Sequence, residues 1–492
     1  MYAIQALLQH ADVSFPNGER TAPLLGGNPL GPFSDGIKVN NPATGETLAY
    51  VKKTSAAGLD GMIARAAVVQ KTWAAKTALE RADILWVWYR EILAKKETLA
   101  RLMTIEQGKC LTEARGEIDY AASFVRWFAE EARRVDGDIL QSVRPNQKLL
   151  VLKQPVGVCA AVTPWNFPAA MITRKAAPAL AAGCAMLVKP ASQTPLSAYA
   201  LAVLAYRAGV PEDLFGVVCG NAAEIGGVFA AHPTVRKISF TGSTEIGAEL
   251  FRQSAPNIKK LSLELGGNAP FVVFDDADLD KAADGLMAGK FRNSGQTCVC
   301  TNRVYVQRGV YEAFAEKIAA RAGRLKLGNG LEEGVQQGPL IDEKAVAKVE
   351  EHIADALAKG AVCLSGGKRS VLGGTFFEPT VLGGVTADMK VAKEETFGPL
   401  CPLFVFDSEE EAVRAANDTE FGLAAYVFTA DAARQWRMGE ALEYGMVGIN
   451  TGLISNEVAP FGGIKSSGLG REGSKYGIEE YLEIKYLCLD LN

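Results

Sequence analysis

Histidine is scarce in this chain of 492 residues, and paired cysteine motifs are missing. The three histidines, His10, His232 and His352, share no metal-ligand spacing with one another or with cysteines, so we expect no metal site. The nine cysteines are scattered, odd in number and without a CxxC pair. This pattern indicates reduced thiols in a cytoplasmic protein and argues against a secreted disulfide framework.

Long apolar runs and basic tracts are missing too. The longest apolar stretch, 176–188, is too short to span a bilayer, and residues 1–15 lack the basic and apolar segments of a signal peptide. The formal net charge of −4 and the absence of a long basic run argue against a nucleic-acid partner. We therefore expect neither a membrane nor a nucleic acid as partner. The residues before Asp35 indicate no function.

Hydrophobic patterning predicts an α/β protein. Apolar residues recur at three- and four-residue steps over 59–128, which predicts helices. Strands and helices then alternate over 148–240 and again over 269–417, which predicts parallel, doubly wound sheets in two domains that divide near Gly266 and Gly267. A last predicted strand, 481–491, has no obvious partner close in sequence, and we expect it to pair with the predicted strand 148–156.

Cys298 is a candidate nucleophile because of its surroundings, FRNSGQTCVC (291–300). A polar turn with a glycine leads there into a strand-like run. Most cysteines are small buried hydrophobic residues, whereas a nucleophile needs thiolate character and access. No histidine lies near any cysteine in sequence, although the fold could still bring one close. A glutamate base is the remaining option.

Glu264 and a glycine-containing loop are the next candidates. Glu264 lies in LSLELGG (261–267), where its head is either in water or held in a site; burial would raise its pKa and suit it to proton abstraction. FTGSTEIG (240–247) is predicted to join a strand to a helix. Its amides and Ser243 could bind phosphate oxygens, or the segment is only a tight turn with a helix cap. Its spacing is not the GxGxxG dinucleotide fingerprint.

Seven motifs together resemble the aldehyde dehydrogenase superfamily, from about Asp35 to Cys488. They are PWNFP (164–168), VKPA (188–191), FTGST (240–244), LELGG (263–267), GQTC (295–298), EETFGP (394–399) and PFGG (460–463). The resemblance implies a doubly wound cofactor-binding domain, an α/β catalytic domain and a small bridging β-sheet that joins a homodimer or homotetramer. The corresponding residues are 1–132 with 157–265, then 266–466, and finally 133–156 with 467–492.

The resemblance also implies roles for individual residues. Cys298 attacks the aldehyde carbon, Glu264 activates the water that hydrolyses the resulting thioester, and Asn166 with the Cys298 backbone N–H binds the oxyanion. Lys189 binds a ribose, Gly242 and Ser243 the pyrophosphate, and Glu395 with Phe397 the nicotinamide end. The full set implied for the cofactor is Thr163, Pro164, Trp165, Asn166, Lys189, Pro190, Ala191, Ser192, Gly242, Ser243, Leu265, Glu395 and Phe397.

Ser192 bears on the choice of cofactor. NAD-preferring members of the family often carry glutamate at this position. A carboxylate there would bind the ribose hydroxyls and repel a 2′-phosphate. Serine removes that repulsion, and Lys189 remains to pair with phosphate. We therefore predict NADP as the preferred cofactor, with NAD also accepted.

Three segments, 165–184, 290–300 and 452–486, resemble the succinate-semialdehyde dehydrogenases within this family. The resemblance implies a clamp of Arg174, Arg292 and Ser455 for the distal carboxylate of the substrate, and a role in 4-aminobutyrate degradation. Arginine suits this task, since it binds carboxylates through charge-assisted hydrogen bonds. Glutarate semialdehyde or another carboxylated aldehyde remains an alternative substrate.

Two further alternatives concern the chemistry itself. Coenzyme-A-dependent members generally lack a glutamate at the position of Glu264, so its presence favours hydrolysis; intact Cys298, Glu264 and Asn166 argue against a non-catalytic scaffold. Cys300 follows Cys298 by two residues, and in an extended segment both side chains share one face. A reducible disulfide between them resembles a redox switch of some members, while a bystander thiol is the other interpretation.

Overall fold

The computed structural model describes residues 2–8, 13–14 and 36–491. The helices among them are α1 (Tyr2–Leu7), α2 (Ala56–Ala74), α3 (Ala78–Ala94), α4 (Lys96–Gln107), α5 (Leu111–Glu131), α6 (Ala170–Ala182), α7 (Pro195–Arg207), α8 (Ala222–Ala231), α9 (Thr244–Ser254), α10 (Leu279–Lys290), α11 (Tyr311–Ala322), α12 (Glu343–Ala358), α13 (Lys390–Lys393), α14 (Glu409–Asn417), α15 (Ala432–Ala441) and α16 (Ser474–Glu479). The strands are β1 (Val13–Ser14), β2 (Ile37–Asn40), β3 (Thr47–Val51), β4 (Asp138–Leu140), β5 (Gln147–Pro155), β6 (Val158–Val162), β7 (Ala185–Lys189), β8 (Phe215–Val217), β9 (Val235–Thr241), β10 (Lys260–Glu264), β11 (Ala269–Val273), β12 (Thr301–Gln307), β13 (Val362–Ser365), β14 (Thr380–Gly383), β15 (Leu400–Phe406), β16 (Ala424–Phe428), β17 (Met446–Ile449), β18 (Gly468–Leu469) and β19 (Leu482–Asp490).

The region predicted to be helical, 59–128, forms the four helices α2 to α5. Thr77 begins α3 with a capping box, in which its side chain accepts from the Glu80 backbone N–H and the Glu80 carboxylate accepts from the Thr77 backbone N–H. Gly108 ends α4 in a left-handed conformation (φ 100°), which glycine adopts without strain. Helix α5 packs against α6 and so borders the site described below. No helix of the described residues is long and apolar enough to cross a bilayer.

The first large sheet has the strand order β18-β10-β9-β6-β7-β8, and its neighbours run parallel except for β18 against β10. Strands β6 and β7 are buried along their whole length, as parallel strands covered on both faces are. The predicted parallel sheet of this half of the chain is confirmed. Strand β10 is an addition to the prediction, because the sequence around Glu264 indicates only an apolar run.

The second large sheet has the order β13-β14-β15-β12-β11-β16-β17, parallel except for its edge strand β13. Its side chains alternate between two hydrophobic clusters. Phe271 and Val273 belong to one cluster and Val272 to the other. Core therefore lies on both faces of the sheet, and the doubly wound α/β prediction is confirmed here too.

A third, antiparallel sheet joins distant parts of the chain. Its order is β19-β5-β4, and β19 pairs with β5 from Leu482 opposite Pro155 to Asp490 opposite Gln147. This confirms the predicted pairing of the last strand with residues 148–156. The remaining sheet, β1-β3-β2, lies before the first predicted element, and its short strands gave no clear alternation in the sequence.

Candidate active site

The ends of three neighbouring parallel strands define the site. Strand β6 leads into the motif with Asn166, β9 ends directly before Gly242, and β10 ends at Glu264. Because these strands are adjacent in the sheet order, their carboxyl ends lie at one edge. The Gly242 backbone N–H donates to the Glu264 carbonyl (3.0 Å) and ties two of the ends together. Ligands of open parallel sheets bind at this kind of edge.

Cys298 follows a tightly wound segment of the second domain. Asn293, Ser294 and Gly295 all have positive φ values, of 52°, 58° and 75°, and non-glycine residues adopt this conformation only when the surroundings impose it. The Asn293 backbone N–H donates to Glu113 (2.8 Å), and the Ser294 hydroxyl donates to the Gly338 carbonyl (2.9 Å). These contacts fix the loop that carries the partly exposed thiol.

Gly267 brings this loop against the end of β10. A Cβ at Gly267 would lie only 2.5 Å from the Cys298 carbonyl oxygen, so no larger residue fits without displacing the backbone. The sequence indicates close approach of a ligand at this glycine pair. The structure shows close approach of backbone at Gly267, whereas Gly266 lines the cavity described below.

Burial disfavours the charged forms of both the Cys298 thiol and the Glu264 carboxyl. Burial raises the pKa of Cys298 to about 12; the guanidinium of Arg174 counters this most, while Glu395 and Glu264 reinforce it. Glu264 is 2 % exposed, and neither carboxyl oxygen has a hydrogen-bond partner in the described structure. Burial, and next the charge of Glu472, raise the pKa of Glu264 well above its usual value. Of the two interpretations of Glu264, a buried head is confirmed.

Asn166 is oriented by its own backbone and by the Cys298 loop. Its carbonyl accepts from the Lys109 ammonium (2.8 Å) and from the Asn293 side chain (3.1 Å). Its side-chain nitrogen donates one N–H to the Gln296 carbonyl (3.1 Å), which leaves the second N–H for another acceptor. Lys109 is in turn paired with the buried carboxylate of Glu117. The amide is thus anchored beside the thiol-bearing loop.

A cavity of about 220 Å³ ends at Cys298. Its walls contain nine of the residues predicted for the site: Pro164, Trp165, Asn166, Gly242, Ser243, Leu265, Cys298, Glu395 and Phe397. Three lining residues are absent from the predicted set: Met171, Thr241 and Gly266. In the sequence, Met171 is one apolar residue of a predicted buried helix. No local signal distinguishes it from its neighbours as a residue of the site.

The other predicted cofactor residues lie beyond this cavity, at the ends of β6 and β7. The Thr163 backbone N–H donates to the Lys189 carbonyl (3.1 Å), and the Thr163 hydroxyl is buried without a partner in the described structure. Lys189 is buried, which lowers the pKa of its ammonium, and no ion pair forms with it among the described residues. Pro190 and Ala191 follow it as buried residues, and Ser192 is half-buried.

Glu395 and Phe397 face the cavity from the opposite domain. The Glu395 carboxylate accepts from the Gly267 backbone N–H (3.2 Å), and burial raises the pKa of Glu395 to about 7. Phe397 has a positive φ of 55°, and its ring meets Trp165 edge to face at 5.6 Å. Neither feature is visible in the sequence.

The three residues predicted to clamp the substrate carboxylate differ in burial and in their interaction partners. Arg174 is 2 % exposed, pairs with Glu472 and stacks on the Phe461 ring at 4.2 Å. Arg292 is half-buried over the Phe167 ring (5.3 Å) and has no ion-pair partner in the described part of the chain. Both guanidinium charges act on the Cys298 thiol. Ser455 is half-buried in the loop after β17. In the described structure no hydrogen bond joins Ser455 to Arg174 or Arg292.

A buried ionic cluster beside Glu264 was not predicted. Lys175 donates to the Thr241 hydroxyl (2.6 Å) and pairs with Glu472, the same carboxylate that pairs with Arg174. Two adjacent basic residues within an alanine-rich apolar helix are a usable signal, because buried cations require anions. The sequence cannot say which anion, since Glu472 is almost 300 positions away.

The expectation of an extended segment from Cys298 to Cys300 is wrong. Residues 298 and 299 form a turn, the Cys300 N–H donates to the Thr297 carbonyl (3.1 Å), and β12 begins only at Thr301. Cys300 is fully buried, and Lys290 donates to its sulfur (3.3 Å). The argument that both side chains share one face therefore fails. A disulfide between the two cysteines stays a prediction without that support.

Histidine does not take part in the site described here. His352 contacts Thr396 (3.0 Å) and Glu394 (3.3 Å), and His232 lies 3.9 Å from Asp60. Neither is among the groups whose charge acts on the Cys298 thiol. His10 lies outside the described residues. Among the described residues, the charges that act on the thiol belong to carboxyl and guanidinium groups.

Comparison with known proteins agrees with this geometry. The aldehyde dehydrogenase family model matches residues 32–487. A succinate-semialdehyde dehydrogenase [NADP(+)] of Escherichia coli is 63 % identical over 93 % of this chain and 95 % of its own, and a glutarate-semialdehyde dehydrogenase of Pseudomonas aeruginosa is 63 % identical over 92 % and 94 %. The crystal structure of a succinate-semialdehyde dehydrogenase from Burkholderia pseudomallei is 59 % identical and superposes with a TM-score of 0.94 over 99 % of this chain and 98 % of that one. Together with the cysteine, the buried carboxyl and the cavity between two doubly wound sheets, these matches show that the chain belongs to the aldehyde dehydrogenase family.

Proposed function

We propose that this enzyme oxidises succinate semialdehyde to succinate with NADP or NAD. The observation that carries the proposal is Arg292, a half-buried cation without an ion pair in the described structure, close enough to act on the Cys298 thiol. A second cation, Arg174, acts on the same thiol. An aldehyde with a distal carboxylate would place its two ends at the thiol and at these guanidinium groups. Relatives that align over more than nine tenths of both chains bear the names of such activities.

The site residues supply the chemistry in a defined order. Ionised Glu264 takes the proton of the Cys298 thiol and releases it to solvent before it acts again, and the sulfur bonds to the aldehyde carbon to form a thiohemiacetal. The Asn166 side chain and the Cys298 backbone N–H hold the resulting oxyanion. A dinucleotide bound in the cavity would supply the hydride acceptor, and loss of the hydride from that carbon would leave a thioester on Cys298. Glu264 then takes a proton from water, whose oxygen attacks the thioester carbon, and the sulfur leaves as the thiolate.

The residues around the cavity fit a dinucleotide. The unpartnered hydroxyl of Thr163 and the unpaired ammonium of Lys189 are buried polar groups that a ribose or phosphate would satisfy. Ser243 caps α9, whose first amides point towards the same edge of the sheet. We assign the cofactor contacts to the residues predicted for it and add Thr241 and Gly266 from the cavity wall.

Replacing Arg292 by alanine should lower kcat/KM for succinate semialdehyde by about 10- to 100-fold, because charge-assisted hydrogen bonds to the carboxylate are lost. Butanal, an uncharged aldehyde of the same length, should be affected much less. Steady-state cofactor reduction measures both. Arg308→Ala, which removes a surface arginine paired with Asp407, serves as the control. Equal losses for the two aldehydes would contradict the clamp.

Wild-type enzyme should show a higher kcat/KM with NADP than with NAD, and Ser192→Glu should reverse this order. The new carboxylate would repel a 2′-phosphate and lower kcat/KM for NADP by about tenfold or more. Gln193→Glu adds the same charge one residue later and is the control for a general electrostatic effect. A large NAD preference of the wild type would contradict the interpretation of Ser192.

Glutarate semialdehyde is the second candidate substrate, because it presents the same two groups one carbon further apart. Two relatives carry that name at the same identity as the succinate-semialdehyde enzyme. A panel of semialdehydes of increasing length decides between them. A role in 4-aminobutyrate degradation and a cytoplasmic location remain predictions beside this proposal.

We infer that the third sheet joins copies of this chain into a homodimer or homotetramer. Leu140 on β4 and Tyr486 and Ile484 on β19 share one face of this sheet and are 47 %, 56 % and 72 % exposed, and an apolar sheet face of this kind is typical of an interface. The same proposal divides the chain into a cofactor-binding domain (1–132 and 157–265), a catalytic domain (266–466) and bridging elements (133–156 and 467–492). Within the last of these, Gly468–Leu469 pair with β10 of the first large sheet.

A further inference from the structure

We propose that the hydroxyl of Tyr120 is a further donor to the distal carboxylate of the substrate, beside Arg174 and Arg292. The inference deepens the proposed function and rests on it. Tyr120 lies on α5, the helix that packs against the helix of Arg174. Tyr120 belongs to none of the seven motifs and does not line the cavity at Cys298. Its role is inferred from the groups that surround its oxygen.

The Tyr120 oxygen is buried, and within the described residues it completes no well-aligned hydrogen bond. The Nη2 atom of Arg174 is also buried and has no well-aligned hydrogen-bond partner among the described residues. Buried hydroxyls and guanidinium nitrogens are rarely left in this state, because each then keeps the full cost of its desolvation. Two unsatisfied donors close together indicate an acceptor that binds there.

The charges around Tyr120 define what that acceptor is. Arg174 and Arg292 are the two cations that act on the phenol, and Arg174 approaches its oxygen directly. Glu472 is the acid whose charge acts on it, and this carboxylate is already paired with Arg174 and Lys175. The unsatisfied positions between the two arginines therefore carry net positive charge. An anion with several lone pairs, such as a carboxylate, matches them.

Aromatic rings keep these donors in place. Arg174 stacks on Phe461, Arg292 lies over Phe167, and the Tyr120 ring meets Phe124 edge to face at 4.9 Å. Burial outweighs the two arginines and raises the pKa of Tyr120, so the phenol keeps its proton at neutral pH and donates it in a hydrogen bond. The substrate end of the site is thus preorganised, which is how a binding site discriminates between ligands.

Tyr120→Phe tests this inference, because it removes one oxygen and keeps the ring. We expect kcat/KM for succinate semialdehyde to fall about tenfold or more, mainly through a higher KM. The value for butanal should change far less. The melting temperature of the variant should fall little, since the hydroxyl donates to no acceptor among the described residues and the variant loses only the contact of the oxygen with Arg174. Tyr206→Phe removes the hydroxyl of a half-buried tyrosine that donates to the Phe215 carbonyl (2.5 Å) on another part of the fold, and should leave the ratio of the two aldehydes as in wild type.

Three outcomes would overturn the inference. A variant that keeps the full preference for the semialdehyde shows that the hydroxyl does not meet the carboxylate, while the proposed function stands. Equal losses for both aldehydes, with a lower melting temperature, show that the hydroxyl is structural. If the wild type shows no preference for the semialdehyde over butanal, the proposed function is wrong, and the acceptor assigned to Tyr120 is wrong with it.

Discussion

Cys298→Ala should lower kcat for aldehyde oxidation by about four orders of magnitude or more, the largest effect expected of any single substitution in this enzyme. Without the sulfur, no thiohemiacetal forms and no acyl group can be held. Cys300 should not replace it, because Cys300 is fully buried and Lys290 donates to its sulfur. Cofactor reduction with succinate semialdehyde as substrate measures the effect.

The control for this experiment is Cys363→Ala, which removes an exposed thiol of β13 outside the site. Its rate should stay close to that of the wild type. The Cys298 variant should still bind NADP, which intrinsic fluorescence can follow, because the thiol is not needed to hold the dinucleotide. Undiminished aldehyde oxidation by Cys298→Ala would remove the covalent mechanism altogether.

Glu264→Gln should slow turnover by about 10²- to 10⁴-fold and should change which step limits it. Glutamine fills the same buried space but takes no proton from water. If the first chemical step still proceeds, one equivalent of reduced cofactor forms and a succinyl group remains on Cys298, which mass spectrometry of the quenched enzyme detects. Glu249→Gln, on the exposed part of α9, is the control. Rapid turnover without an accumulated acyl group would assign the base elsewhere.

The pH dependence of the wild type follows from the same carboxyl group. Burial and the charge of Glu472 raise the pKa of Glu264, so the ionised form that acts as a base appears only at higher pH than for an ordinary glutamate. The hydrolysis rate should therefore rise with pH over a range in which exposed carboxyl groups are already fully ionised, and Glu264→Gln should lose this rise. A rate that is flat over that range would mean that Glu264 ionises like an exposed group.

The elements of the fold were largely predictable from local patterns. The predicted helix 222–231 coincides with α8, and the predicted pairing of the last strand with residues 148–156 is confirmed by β19 and β5. Alternation of apolar residues is a local signal, and burial of both sheet faces enforces it strongly. Where burial of both faces is weak, as in the short strands β2 and β3, no strand was predicted. Where turn chemistry competes with a strand-like run, as at Cys298, the prediction was wrong.

The sequence alone determined the residue types available for chemistry: a cysteine after a glycine turn, a glutamate in an apolar run, and arginines in segments that resemble semialdehyde dehydrogenases. Their environment was decided only by the tertiary structure. Parallel strands bring Asn166, Gly242 and Glu264 to one edge of the sheet. Glu472, which is distant in sequence, pairs with Arg174. Helix α5 places the hydroxyl of Tyr120 near the guanidinium groups of Arg174 and Arg292. The physical reason is that pKa values, ion pairs and unsatisfied donors depend on burial and on neighbours hundreds of positions apart, whereas a sequence pattern records only the residues next to it.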